Sequence, residues 1–128
     1  MKTKLLELLE NSYSPYSKFR VSSIVVTKDD KCYSGVNIEN ASYGATICAE
    51  RVAILKAVSN GHRKGDLKKI YVMVDSDKIS SCCFAGRQVI TEFFEPDASI
   101  ILMNRNGDEK TFLVSELCPY PFDSGDLE

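Results

Sequence analysis

Apolar residues cluster at Leu5, Leu6, Leu8 and Leu9 with helical spacing, which predicts an amphipathic helix at the start of the sequence. The run Asn11-Ser12-Tyr13-Ser14-Pro15 ends it, because Pro15 disfavours the α conformation at Ser14. Residues 19–27 are rich in β-branched side chains, with apolar ones on both faces, and read as a buried strand. Lys28-Asp29-Asp30-Lys31 is a turn signal, and residues 32–39 read as the returning strand of a hairpin. Residues 48–59 carry Ala, Val, Ile and Leu at helical spacing and stop at Asn60-Gly61. A continuous apolar strand is predicted over 67–74. A helix follows over 83–94, with Val89, Ile90 and Phe93 as its inner face. Two short strands, 100–103 and 111–114, flank the Asn106-Gly107-Asp108 turn, and a last helical turn runs from Ser115 until Pro119 stops it.

The resulting order is α-β-β-α-β-α-β-β. Strands separated by helices imply a partly parallel sheet with helices packed on it, so the fold class is α/β with a five-stranded mixed sheet. No repeat, low-complexity tract or linker interrupts the pattern, and residues 1–128 are expected to form a single domain.

Composition narrows the function. Hydrophobic residues make up 44% and charged residues 27%, ordinary for a globular chain, and the formal charge of -2 supplies no footprint for a polynucleotide backbone. The first residues are cut by Glu7 and Glu10 and do not read as a secretory signal, and no apolar run reaches membrane length. Five cysteines, at 32, 48, 82, 83 and 118, fit cytosolic thiols better than a disulfide framework, and they raise the question of a metal. A small-molecule partner, no nucleic acid, no membrane and a cytoplasmic location are therefore expected.

Two cysteines sit where predicted helices begin: Cys48 in Thr46-Ile47-Cys48-Ala49-Glu50-Arg51, and Cys83 in Ser81-Cys82-Cys83-Phe84-Ala85-Gly86. Free backbone amides and the positive end of the helix dipole stabilise a thiolate there. Two such helix starts on one sheet would bring both sulfurs within reach of one ion. Glu50, two residues after Cys48, would then reach a water on that ion without binding the ion, the separation that zinc hydrolysis needs. Taken alone, either cysteine is more often a core residue, and a first-turn glutamate is more often solvated. Neither reading accounts for both clusters together.

The chain resembles the small homotetrameric cytidine deaminases along nearly its whole length. The blocks that carry the resemblance are Ser14-Pro15-Tyr16-Ser17-Lys18-Phe19, Gly35-Val36-Asn37-Ile38-Glu39-Asn40-Ala41-Ser42-Tyr43, Ile47-Cys48-Ala49-Glu50-Arg51, Arg87-Gln88-Val89, and Ser115-Glu116-Leu117 with Pro119 and Phe122. The resemblance implies a three-layer α-β-α fold and zinc, one per subunit. It implies hydrolytic deamination of cytidine or deoxycytidine in pyrimidine salvage, and a homotetramer. It makes Cys48 and Cys83 metal ligands, Glu50 the proton shuttle, and Arg51 the residue that tempers the thiolate charge. The substrate set is Phe19, Asn37, Glu39, Tyr43, Ala49 and Phe122, the last reaching into a neighbouring subunit's pocket. Asn37 and Glu39 would share one strand face opposite Val36 and Ile38, either to bind ribose hydroxyls or to serve a structural hydrogen-bond network. Phe19 and Tyr43 read equally as pocket walls or core aromatics.

One departure stands out. Aligned on Arg87-Gln88, the family's third ligand position falls on Gly86, which offers no donor. Cys82 could substitute only by a shifted helix start, and His62 lies beyond the far end of the Cys48 helix. Cys32 and Cys118 read as core or edge residues. Two thiolates leave a zinc site near neutral and less tightly held than three, so weak or partial zinc is expected. Phe84 is expected to narrow the pocket. The competing reading is a zinc-poor, weakened or inactive member that binds nucleosides or plays a structural or regulatory role.

Overall fold

The computed structural model describes residues 1–128. Helix α1 (Lys2–Leu9) is followed by the hairpin β1 (Val21–Thr27) and β2 (Cys32–Val36), then α2 (Ala49–Ser59), β3 (Leu67–Val74), α3 (Phe84–Phe93), β4 (Phe94–Met103), β5 (Glu109–Leu113) and α4 (Val114–Leu117). The strands form one sheet in the order β2-β1-β3-β4-β5. Only β3 and β4 run parallel, joined by the α3 crossover, and every other neighbouring pair is antiparallel.

Period-two alternation sorts the apolar side chains onto the two sheet faces. Val25, Ile70, Val72, Ile100 and Leu102 point to the side covered by α2, α3 and α4, where they meet Ala53, Ile54, Ala57, Ile90 and Val114. Ile24, Val26, Met73, Ile101 and Met103 point to the other side and pack on Leu5 and Leu9 of α1. Helices on both faces make the three-layer α-β-α arrangement. Ser22 and Ser23 are fully buried in β1, and their hydroxyls donate to the carbonyls of Leu5 and Tyr71. No helix is long and apolar enough to cross a membrane.

Several boundaries differ from the sequence reading, each for a local reason. β1 starts at Val21 because the carbonyl of Phe19 is taken by the Asn37 side chain. β2 ends at Val36 because the chain then exchanges partners: Tyr13 N–H donates to Asn37 O, Glu39 N–H to Tyr13 O, and Ile38 and Ile47 exchange both backbone bonds at 3.0 Å. Ile38 is consequently 44% exposed and not on a buried face. Helix α3 passes straight into β4 at Phe94, whose side chain is buried and which pairs with Leu67 before the register shifts. The polar run Glu95-Pro96-Asp97 hid this first part of the strand. Cys32 is exposed on the edge strand, Cys118 packs against the core, and His62 meets the Tyr33 hydroxyl at 3.1 Å.

Candidate active site

The site is built where α2 and α3 begin. Cys48 is the residue before α2 and Cys83 the residue before α3, both with extended backbone, so each side chain hangs at the mouth of its helix. The Ile38–Ile47 bridge holds the segment entering α2. Gly35 lets α2 lie directly on β2, since a Cβ there would come 2.6 Å from both Ala49 O and Ala53 N. On α3, Cys83 Sγ accepts from Gly86 N–H at 3.4 Å. Arg87 fastens this helix start in place. Its guanidinium donates to Cys82 O, Leu117 O and Ser81 Oγ at 3.1, 3.0 and 2.8 Å, and it stacks on the Phe84 ring.

The two sulfurs and a carboxylate oxygen of Glu50 all lie within 4.8 Å of one another. Donors on a tetrahedral zinc with bonds of about 2.3 Å stand about 3.8 Å apart, so small rotamer adjustments suffice to gather this set on one ion. Two soft sulfurs and a harder oxygen suit zinc. Gly86 is buried with no side chain, and a Cβ there would meet Glu50 Oε2 at 2.7 Å and Cys48 Sγ at 3.4 Å. Position 86 therefore faces the same point as the other three.

Burial dominates the electrostatics. Glu50 is 3% exposed, and desolvation raises its carboxyl pKa, opposed by its own backbone amide and by the Cys48 thiol. Burial also pushes the Cys48 thiol up to about 12, helped by the neighbouring Glu50 charge and opposed by the Arg51 amide. The Arg51 amide favours the Cys48 thiolate, in the sense expected of a helix start, but in the ion-free site lost water outweighs it. A bound cation would reverse that balance, since it favours the deprotonated sulfur outright.

A cavity of about 380 Å³ opens onto this cluster, lined by Phe19, Asn37, Tyr43 and Arg51 together with Cys48, Glu50 and Cys83. Its apolar wall comes from Val21, Val72 and Val74, and Thr46, Ser81 and Ala85 complete it. These six were not foreseen, since only the tertiary fold brings strand ends to the mouths of α2 and α3. Glu39 lines an adjoining depression that shares Tyr43 and Thr46. Its carboxylate accepts from the amides of Tyr16 and Ser17 and from the Ser17 hydroxyl, which lowers its pKa, the hydroxyl contributing most. Asn37 is also engaged internally: its amide donates to Phe19 O at 2.7 Å and accepts from Val21 N–H and Ser12 Oγ.

Other expected residues fall outside this cavity. Ala49 is wholly buried behind it, and Phe122 is 58% exposed on the C-terminal segment, tied to α3 by a Gln88–Phe122 O bond of 3.0 Å. Tyr43 is 77% exposed and so is no core aromatic. Phe84 does not narrow the cavity; its ring is turned outward under Arg87. Cys82 is buried within the main core cluster and is absent from the donor set.

A three-layer α/β chain carrying two sulfurs and a buried carboxyl at paired helix starts has the architecture of a metal-assisted hydrolase. The cytidine and deoxycytidylate deaminase zinc-binding region matches residues 1–103, and the chain belongs to that family. It is 42% identical to a cytidine deaminase of Halalkalibacterium halodurans over 122 residues, 95% of this chain and 91% of that protein. A cytidine deaminase of Sporosarcina psychrophila is also 42% identical, over 92% of this chain and 85% of that protein. Among solved structures, cytidine deaminase from Burkholderia pseudomallei superposes with a TM-score of 0.87 at 36% identity, covering 95% of this chain and 99% of that one.

Proposed function

We propose that the protein catalyses zinc-dependent hydrolytic deamination of cytidine or deoxycytidine, releasing uridine or deoxyuridine and ammonia. The observation that carries this reading is the convergence of Cys48, Cys83 and Glu50 at one end of a cavity that also holds Phe19, Asn37 and Tyr43. Relatives bearing the cytidine deaminase name at 42% identity across most of the chain support it.

In this reading Cys48 and Cys83 hold the ion, which supplies the acidification of water at neutral pH. Glu50 accepts one proton from the attacking water and delivers it to N3 of the base. It then takes the second proton from the hydroxyl now on C4 and passes it to the departing amine, as the C=O bond forms and the C–N bond breaks. Burial holds this carboxyl at the closed end of the cavity, beside the reacting atoms and away from bulk water. The Val21, Val72 and Val74 wall excludes water beside the base, and the exposed Tyr43 and half-exposed Phe19 offer ring faces to it. Arg51 balances negative charge at the sulfurs. Asn37 and Glu39 meet the sugar only in exchange for partners they already hold.

The protein works as a homotetramer in the cytoplasm, in pyrimidine salvage. The exposed aromatic side chains Tyr43, Phe84 and Phe122 support assembly. In this reading Phe122 completes a neighbouring subunit's pocket.

The test follows cytidine by the ultraviolet absorbance lost on deamination, with zinc-loaded and chelator-treated protein. Chelator-sensitive turnover is expected. Zinc-loaded protein that binds cytidine without converting it would overturn the assignment.

A further inference from the structure

Glu50 occupies the space from which a side chain on residue 86 would start. An ideal Cβ on Gly86 would lie 2.7 Å from Glu50 Oε2, 3.5 Å from Glu50 Cδ and 3.4 Å from Cys48 Sγ, so its three nearest neighbours all belong to the donor cluster. With glycine at this position the chain supplies two sulfurs, and the nearest remaining donor is the Glu50 carboxylate itself. The other candidates are committed elsewhere: Cys82 lies in the apolar core, and His62 is held by Tyr33 beyond the opposite end of α2.

We infer that Glu50 is a metal ligand in this chain, its carboxylate completing a two-sulfur, one-oxygen set in the position that Gly86 leaves open. This rests on the zinc-dependent reading of the cavity and deepens it. The ligand types are mutually compatible, since both Cys sulfur and Asp or Glu oxygen occur among the protein ligands of three-ligand zinc sites. The charge is conserved: two thiolates and one carboxylate carry the same three negative charges as three thiolates. One carboxylate oxygen suffices for the ion, which leaves the other free to take a proton. A ligated carboxylate is a weaker base, however, so Glu50 carries protons under a handicap that a third sulfur would remove.

The test compares four proteins: the natural chain, Glu50→Ala, Gly86→Cys, and the double variant. Zinc affinity is measured by competition with a chromophoric chelator, and circular dichroism establishes that each is folded. Cobalt(II) loading counts sulfur ligands through the sulfur-to-metal charge-transfer bands. In the natural background Glu50→Ala should weaken zinc binding more than about a hundredfold, beyond the roughly 10- to 100-fold typical of groups that only support a ligand. In the Gly86→Cys background the same change should cost less than about tenfold, because three sulfurs then hold the ion. The charge-transfer intensity should correspond to two sulfurs in the natural chain and three after Gly86→Cys. Glu50→Gln, which keeps the shape and removes the charge, serves if the alanine variant does not fold, and should show the same background dependence.

Equal losses in the two backgrounds, whether large or small, would overturn the ligand assignment, as would three sulfur contributions in the natural chain. Failure of the deaminase reading looks different. Zinc-loaded natural and Gly86→Cys proteins would then leave cytidine unchanged while the background dependence of zinc affinity persisted.

Discussion

Gly35→Ala tests whether the site is set by how closely α2 lies on β2. The added Cβ would stand 2.6 Å from Ala49 O and Ala53 N and 3.0 Å from Val52 Cβ. The first two are backbone atoms of α2 itself, so no side-chain rotation relieves the overlap. Ordinary contact begins at 3.4 Å, so the first turns of α2 must lift by about 0.8 Å. Overpacking of this kind costs about 1–3 kcal/mol, and a backbone clash belongs near the upper end. For a chain of this size that corresponds to a fall in Tm of roughly 6–12 °C.

The chemical consequence is larger than the thermal one. Cys48 and Glu50 ride on the turn that moves, whereas Cys83 belongs to α3 and stays. A displacement approaching 1 Å between reacting groups costs about a hundredfold in rate. The variant is therefore expected to melt early, to hold zinc less tightly, and to lose about two orders of magnitude in kcat/KM at temperatures where it remains fully folded. Thermal denaturation, chelator competition and the cytidine absorbance assay measure the three effects. A variant with unchanged Tm and unchanged zinc affinity would refute the claim that this glycine seats the site.

Asn37→Ala removes a side chain that is 8% exposed and serves Phe19 O, Val21 N–H and Ser12 Oγ; stability in urea should fall by about 2–3 kcal/mol, and a loss confined to KM would show that the network is dispensable. Arg87→Lys cannot reproduce three donors directed at Cys82 O, Leu117 O and Ser81 Oγ, so it should lower stability by about 1–2 kcal/mol and weaken zinc binding through Cys83; an unchanged zinc affinity would contradict the second half. The folded-state pKa of Glu39 is lowered, so its contribution is present above the unfolded value and disappears as pH falls through the folded one. Acidification from about pH 5 to about pH 3 should therefore erode the stability of the natural chain more than that of Glu39→Gln, and parallel pH profiles would argue against it.

The elements and their order were legible because the core obeys simple periodicities. Unbroken apolar runs in β1, β3 and the second half of β4 mark strands buried on two faces, and the breaks at Pro15, Asn60-Gly61 and Asn106-Gly107 fall where the chain turns. Cys48 and Cys83 were legible as a pair because each stands just before a helical pattern, and a crossover fold brings helix starts to one end of a sheet. What was hidden depends on partners distant in sequence. Nothing local shows that Asn37 spends its amide on Phe19 and Val21, or that Arg87 spans from Cys82 to Leu117. Ile38 looked like a core position because its neighbours alternate, yet the chain leaves β1 one residue after Val36 and exposes it.

Gly86 marks the border between the two kinds of information. Its lack of a donor is evident from one letter, and that alone suggested a site short of a ligand. The space around it adds a second fact: the first atom of any side chain there would stand 2.7 Å from Glu50 Oε2, the far end of a flexible side chain that must then swing aside. Here the acid occupies the space beside the sulfurs that a side chain at 86 would enter, and Gly86→Cys would move it aside. The residue at 86 and the position of Glu50 are thus one structural choice, and substitutions at either must be interpreted against the other.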